Sequence, residues 1–158
     1  MAIFKLLGCL MILSAGGLAA ISAVKYERRR LTVLDGWIDL IFHIRSQIDC
    51  YLMPLNDILA GTDRDLLRAC MGNGHCIDLD TLLKNSQFYL GNEARRLLSA
   101  FVREIGSSYR EEQVKRCDYY MTALRGLREK QMQEFPAKTR VCVALCLCLA
   151  IGIAILLW

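Results

Sequence analysis

Two stretches without a charged side chain bracket this chain, Leu6–Val24 and Val141–Trp158, 19 and 18 residues long. A helix needs roughly 20 apolar residues to cross the hydrocarbon core of a bilayer, and about 18 without charge already make a candidate. Backbone amides cannot stay unpaired in lipid, so each stretch has only the helix as a local solution. The expected layout is one polar domain held between two spanning helices. Its boundaries are residues 1–24 for the first membrane helix, 25–138 for the domain and 139–158 for the second membrane helix.

The charges set an orientation. All but Lys5 of the 20 basic residues, and all 16 acidic ones, lie between the apolar stretches. Lys25, Arg28, Arg29 and Arg30 follow the first stretch, and Arg128, Lys130, Lys138 and Arg140 precede the second. Basic residues at span ends are retained on the cytoplasmic side, so the domain is expected in the cytoplasm with both termini outside. A cleaved signal peptide is the competing expectation, drawn from Lys5, the apolar run and the small residues Ala20, Ser22 and Ala23. The run is longer than a usual signal core, and cleavage would require the Lys25–Arg30 cluster to be exported. Basic and acidic residues are interleaved in the domain, which argues against a nucleic-acid surface.

Eight cysteines in a short secreted chain would suggest a disulfide scaffold. Here Cys9, Cys142, Cys146 and Cys148 fall in the apolar stretches, where cysteine packs as a small, weakly polar residue. Cys50, Cys70, Cys76 and Cys117 are expected as free thiols in the cytoplasm.

Between the ends, helical periodicity dominates. Leu31, Leu34, Ile38, Ile41, Ile44, Ile48 and Leu52 recur at steps of three and four, one stripe of an amphipathic helix. Pro54 breaks it near residues 51–53, and a short helix to Gly61 follows. Thr62 or Asp63 caps the next piece, and Gly72-Asn73-Gly74 stops it. Asp78 or Asp80 opens a helix carrying Leu79, Leu82, Leu83 and Phe88. Asn92 caps another, with Ala94, Leu97, Leu98, Phe101, Val102 and Ile105 on one face and Gly106 as its stop. Ser108-Tyr109-Arg110-Glu111 is a capping box that opens a long last helix. Val114, Cys117, Met121, Leu124, Leu127 and Phe135 form its stripe, and Pro136 is expected as a joint before the second span. No alternating β-branched run occurs. The fold class is all-α: two terminal transmembrane helices flanking a small cytoplasmic bundle of about five or six helices.

The chain lacks the marks of an enzyme. It has no phosphate-binding loop, no dinucleotide glycine fingerprint and no zinc-protease helix motif. Two histidines, His43 and His75, leave little for acid–base work. Cys70, His75 and Cys76 lie close in sequence, but their spacing fits no standard zinc knuckle. No catalytic, cofactor or metal-binding residue is expected, and no small-molecule substrate. The candidate features are two. Arg95, Arg96, Arg103, Arg110, Glu111 and Arg116 form a charged face that is either solvated or a partner-binding surface. Charge reversal at Arg110 and Arg116 is expected to weaken partner binding more than stability. In the apolar stretches, Ala15, Ala19 and Ala23, and again Ala144, Cys148 and Gly152, are spaced by four. Small residues at that spacing let helices approach closely in lipid.

Three stretches together resemble the stage III sporulation protein AB family. They are the basic knot Tyr26-Glu27-Arg28-Arg29-Arg30-Leu31 after the first span, Ile44–Leu59 with its turn Tyr51-Leu52-Met53-Pro54-Leu55, and Leu98–Gln113 (LSAFVREIGSSYREEQ). The resemblance implies a component of the channel that endospore-forming bacteria build between mother cell and forespore. That family is similar to the inner-membrane platform protein of type II secretion and type IV pilus machines. It implies partners as well: the secretion-type ATPase of the same operon, other sporulation channel subunits and the lipid bilayer. The location implied is the mother-cell membrane around the forespore. Two other readings stay open from the residues alone. One is a membrane-tethered helical adaptor or signalling protein unrelated to any motor, and the other is thiol or metal chemistry at Cys70, His75 and Cys76.

Overall fold

The computed structural model describes residues 2–51, 53–71, 78–106 and 109–157. They form six α-helices and no strand: α1 Ala2–Tyr51, α2 Leu55–Gly61, α3 Arg64–Ala69, α4 Leu79–Ser86, α5 Asn92–Glu104 and α6 Arg110–Leu157. The chain divides into two compact units, Arg29–Gln131 and the paired ends Met1–Arg28 with Met132–Trp158.

Local chemistry explains most of the boundaries. Pro54 takes an extended conformation (φ −66°, ψ 147°) and serves as the N-cap of α2, because its ring excludes it from a helix interior. Asp63 Oδ1 accepts the Asp65 N–H at 3.2 Å, and Asp78 Oδ1 accepts the Asp80 N–H at 3.3 Å. Each carboxylate thus satisfies one of the orphan donors of α3 and α4. Gly106, at φ +87°, follows the end of α5 in the left-handed region that glycine adopts without a Cβ penalty.

Other boundaries differ from expectation. The N-cap of α5 is Gly91, with Asn92 already helical. A Cβ at position 91 would lie 3.2 Å from an Arg30 guanidinium nitrogen, a close contact that the arginine side chain would have to yield to. Helix α4 stops at Ser86, and Phe88 sits in the turn beyond it, 75% exposed, rather than on the apolar face of α4. Tyr89 takes the inner position instead, under the Arg29 guanidinium at 5.3 Å. Helix α3 gives way at Met71, which adopts φ 66° and donates its N–H to Arg68 O at 3.0 Å. The expected glycine stop at 72–74 and the capping serine at 108 lie outside the described residues. Pro136 does not separate two helices: α6 runs through it. It lies on the exposed side, where the carbonyl it leaves unpaired can turn to solvent.

The core of the Arg29–Gln131 unit is built around α1. Val33, Leu34, Trp37, Ile38, Leu40, Ile41, Ile44 and Ile48 are all buried. That is wider than the stripe legible in the sequence, because other helices cover α1 on more than one side. Leu31 is half-buried, and Leu52 lies outside the described residues. Leu79, Leu82, Leu98, Phe101, Cys117, Tyr120, Met121 and Leu124 close the core from α4, α5 and α6. The indole N–H of Trp37 donates to Ser86 Oγ at 3.1 Å, and Ser86 in turn donates to Leu83 O at 3.0 Å. The one polar group of a fully enclosed tryptophan is thereby satisfied.

In the other unit most of the apolar side chains among the described residues are bare. Met11, Leu18, Ile21, Val141, Leu145, Leu149, Ile151 and Ile153 are exposed. Ala20 is buried, and Gly16, Ala23, Val24, Cys142, Val143 and Cys146 are half-buried. Contiguous apolar exposure on this scale marks a surface meant for lipid or protein. Among the described residues, α6 is the one helix long and apolar enough to cross a membrane, with a mean hydropathy of 1.7 in its apolar window.

Candidate interaction surface

The charged face expected from sequence splits into two parts. Arg110 Nη2 donates to Asp49 at both its carbonyl oxygen (2.6 Å) and its Oδ1 (2.8 Å), fastening the start of α6 to the end of α1. Arg116 donates to Glu112 Oε1 at 2.7 Å and to Glu104 O at 3.1 Å, covering an open carbonyl at the end of α5. The Glu104 carboxylate accepts the Tyr120 hydroxyl at 3.0 Å. Burial, with that hydrogen bond second, pushes the Tyr120 pKa up to about 12. On α5, Arg95 donates to Gln87 O at 3.0 Å and Arg103 to Ser99 O at 3.2 Å. Arg96 and Glu111 are exposed.

Arg110 and Arg116 are therefore structural clasps. Reversing their charge would set carboxylates against Asp49, Glu104 and Glu112, so it acts on the bundle as well as on any partner. Arg96 and Glu111 are the positions of the predicted face where charge can be changed with least disturbance.

Two further clasps join α1 to α6. Asp35 accepts two hydrogen bonds from Arg128, at 2.8 and 3.3 Å, and Arg45 donates two to Asp118, at 2.7 and 3.3 Å. The forked guanidinium matches the two carboxylate oxygens and fixes direction as well as distance. The hydrogen bond from each arginine to its aspartate is the main cause of a raised pKa at Arg128 and Arg45. The partners are 93 and 73 residues apart in sequence, and nothing local signals their pairing.

The Pro54 turn borders a cleft of about 620 Å³, lined by Ile48, Met53, Leu55, Ile105 and Arg110 among others. Its lining mixes these apolar side chains with the polar Asn56, Arg110 and Gln113.

Cys70 and Cys117 are buried and Cys50 is exposed. His75 and Cys76 lie outside the described residues. His43 is half-buried on α1. Among the described residues, no three His, Cys, Asp or Glu side chains gather as metal ligands would. Burial first, and then the Asp118 charge, pushes the Cys117 thiol from 9.0 to about 11. Nucleophilic thiolate is therefore scarce there at neutral pH.

A pH dependence follows. The folded thiol holds its proton more tightly than the unfolded one, so its contribution is intact below pH 9 and lost as pH rises through about 11. The loss is expected to reach about 2 kcal/mol at its upper end. Unfolding midpoints measured from pH 8 to 11 on the parent chain and on Cys117→Ala check it, since the alanine chain should show a shallower decline. A Tyr120→Phe chain removes the second alkaline titration.

The small residues of the apolar stretches fall in different places. Ala15 and Ala19 are exposed, Ala23 is half-buried, and Ala144, Cys148 and Gly152 are exposed. An added Cβ at Gly152 would meet nothing within 4 Å. The buried small residue is Ala20, with Gly16 half-buried one turn before it.

A family model described as stage III sporulation protein AB matches residues 79–158, from the first residue of α4 onward. No curated protein and no solved structure matches the chain.

Proposed function

This chain belongs to the stage III sporulation protein AB family, with the role in stage III sporulation that membership implies, and from that premise we propose that it is a non-enzymatic membrane platform. In this reading both apolar ends span the membrane around the forespore, and the domain of residues 25–138 stands in the mother-cell cytoplasm. There it docks a secretion-type ATPase and couples it to other subunits of the channel between mother cell and forespore. Its work is differential binding: conformations of the ATPase bias the helices they touch, and no bond is made or broken on this chain.

One observation carries the proposal beyond the family match. A single helix, α6, supplies both buried core residues from Cys117 to Leu127 and the apolar window long enough to cross a bilayer. A chain built this way can carry a helical domain on a helix that enters the membrane. The exposed positions Arg96 and Glu111 are the part of the charged face offered to the ATPase.

Co-purification in mild detergent with the secretion-type ATPase of the same genome tests the reading. Stoichiometric recovery is expected, lost when residues 25–138 are replaced by a linker. Arg96→Glu combined with Glu111→Arg is expected to weaken recovery about 10-fold, a cost of ~1.4 kcal/mol, with the unfolding midpoint unchanged. Absence of the ATPase from folded, membrane-inserted protein would reject the docking role and favour an adaptor that serves no motor.

A further inference from the structure

Within the unit of paired ends, Ala20, Ile21, Val24 and Val143 line a groove of about 330 Å³ that continues to Lys25 and Arg28. Its walls come from both α1 and α6, so it exists only where the two apolar ends lie together. The lining is graded along α1: apolar through Val24, cationic from Lys25 onward. Lys25 and Arg28 are exposed, and Arg28 has a further contact of its own. A ligand that fits must be amphipathic in the same order, with an apolar tail along Ala20, Ile21 and Val24 and a negative head one helical turn further.

The geometry points to this groove as a binding site for one anionic glycerophospholipid, its phosphate held by Lys25 and Arg28 and an acyl chain lying against Ala20, Val24 and Val143. The inference rests on the reading that the paired ends span a membrane. Two physical terms support it. The charge of the groove mouth complements the phosphate, and basic pockets between membrane helices on the cytoplasmic side are where anionic headgroups collect. The apolar wall adds a term that diffuse attraction to a charged surface lacks, because acyl methylenes leave the groove's bare apolar surface covered. A soluble phosphate supplies the head without the tail, and a neutral lipid supplies the tail without the net charge.

The test uses the full chain purified in a neutral detergent, with phosphatidylglycerol or phosphatidylcholine titrated into the micelles while thermal unfolding is followed. Phosphatidylglycerol is expected to raise the midpoint saturably, and phosphatidylcholine is not. Lys25→Gln with Arg28→Gln should weaken the apparent affinity at least 10-fold. Arg125→Gln with Lys130→Gln, which removes the same charge from exposed positions of α6, should leave it unchanged. Lys25→Arg with Arg28→Lys should retain it. Equal responses to the two lipids, or equal losses in the two double-glutamine chains, would overturn the site and leave only diffuse attraction. Alkaline carbonate extraction of cell membranes separates this from the parent reading. A chain that stays in the pellet without a phosphatidylglycerol response defeats the lipid site alone, and a chain released to the supernatant defeats both.

Discussion

Trp37→Ala is expected to remove about 3–5 kcal/mol from the stability of the bundle, a large share of the roughly 5–15 kcal/mol that keeps a domain of ordinary stability folded. Trp37 is fully buried on α1 at the centre of the core. Truncation opens a cavity that its neighbours cannot fill, since Leu34, Ile38 and Ile41 are already packed on the same helix. It also leaves Ser86 without its indole donor, although Ser86 keeps its bond to Leu83 O. Chemical unfolding of the full chain in detergent, followed on α5 by amide exchange, measures the loss. The comparison that separates packing from hydrogen bonding is Ser86→Ala, which keeps the ring and strands its N–H at a cost of about 1–3 kcal/mol. Equal losses from the two changes would show that Trp37 is held by its hydrogen bond rather than by packing at the centre of the core.

Gly36→Leu is expected to be comparably damaging. A Cβ at position 36 would lie 2.9 Å from the carbonyl carbon of Ala69 and 3.0 Å from its Cβ, so α1 and α3 touch there backbone to backbone. Helix propensity alone would favour replacing this glycine by about 1 kcal/mol. The clash reverses the sign, because an overfilled contact costs about 1–3 kcal/mol and more when the obstacle is main chain. Ala69→Gly, introduced beside Gly36→Leu, should restore little. It removes the methyl at 3.0 Å and leaves the carbonyl carbon at 2.9 Å in place. Full rescue by Ala69→Gly, read as an unfolding midpoint, would show that the approach is one of side chains only.

Much of the bundle was legible in the sequence because its signals are local. The stripe from Leu34 to Ile48, the break at Pro54, the caps at Asp63 and Asp78 and the stop at Gly106 all follow from residues within a turn or two of where they act. What was missed depends on neighbours distant in sequence. Trp37 and Leu40 fall off the narrow stripe, and only the packing of other helices against α1 shows that they are buried. Gly91 caps α5 where Asn92 was expected, and its near neighbour is the Arg30 guanidinium, 61 positions earlier in the chain. The same holds for the candidate surface. Arg110 and Arg116 have the composition of a free charged face, yet Asp49 and Glu104 claim them. No spacing rule connects residue 49 to residue 110.

The clasps between α1 and α6 carry one more consequence. Along α1 the acid comes first, Asp35, and the base ten residues later, Arg45. Along α6 the acid also comes first, Asp118, and the base ten residues later, Arg128. Because the order is the same on both strands of the pair, opposite charges meet only when the helices run in opposite directions. A parallel alignment in the same register would set Asp35 against Asp118 and Arg45 against Arg128. The two ion pairs, each modest as a source of stability at half-exposed positions, thus act as a polarity code that distinguishes the correct direction of the last helix from its reverse.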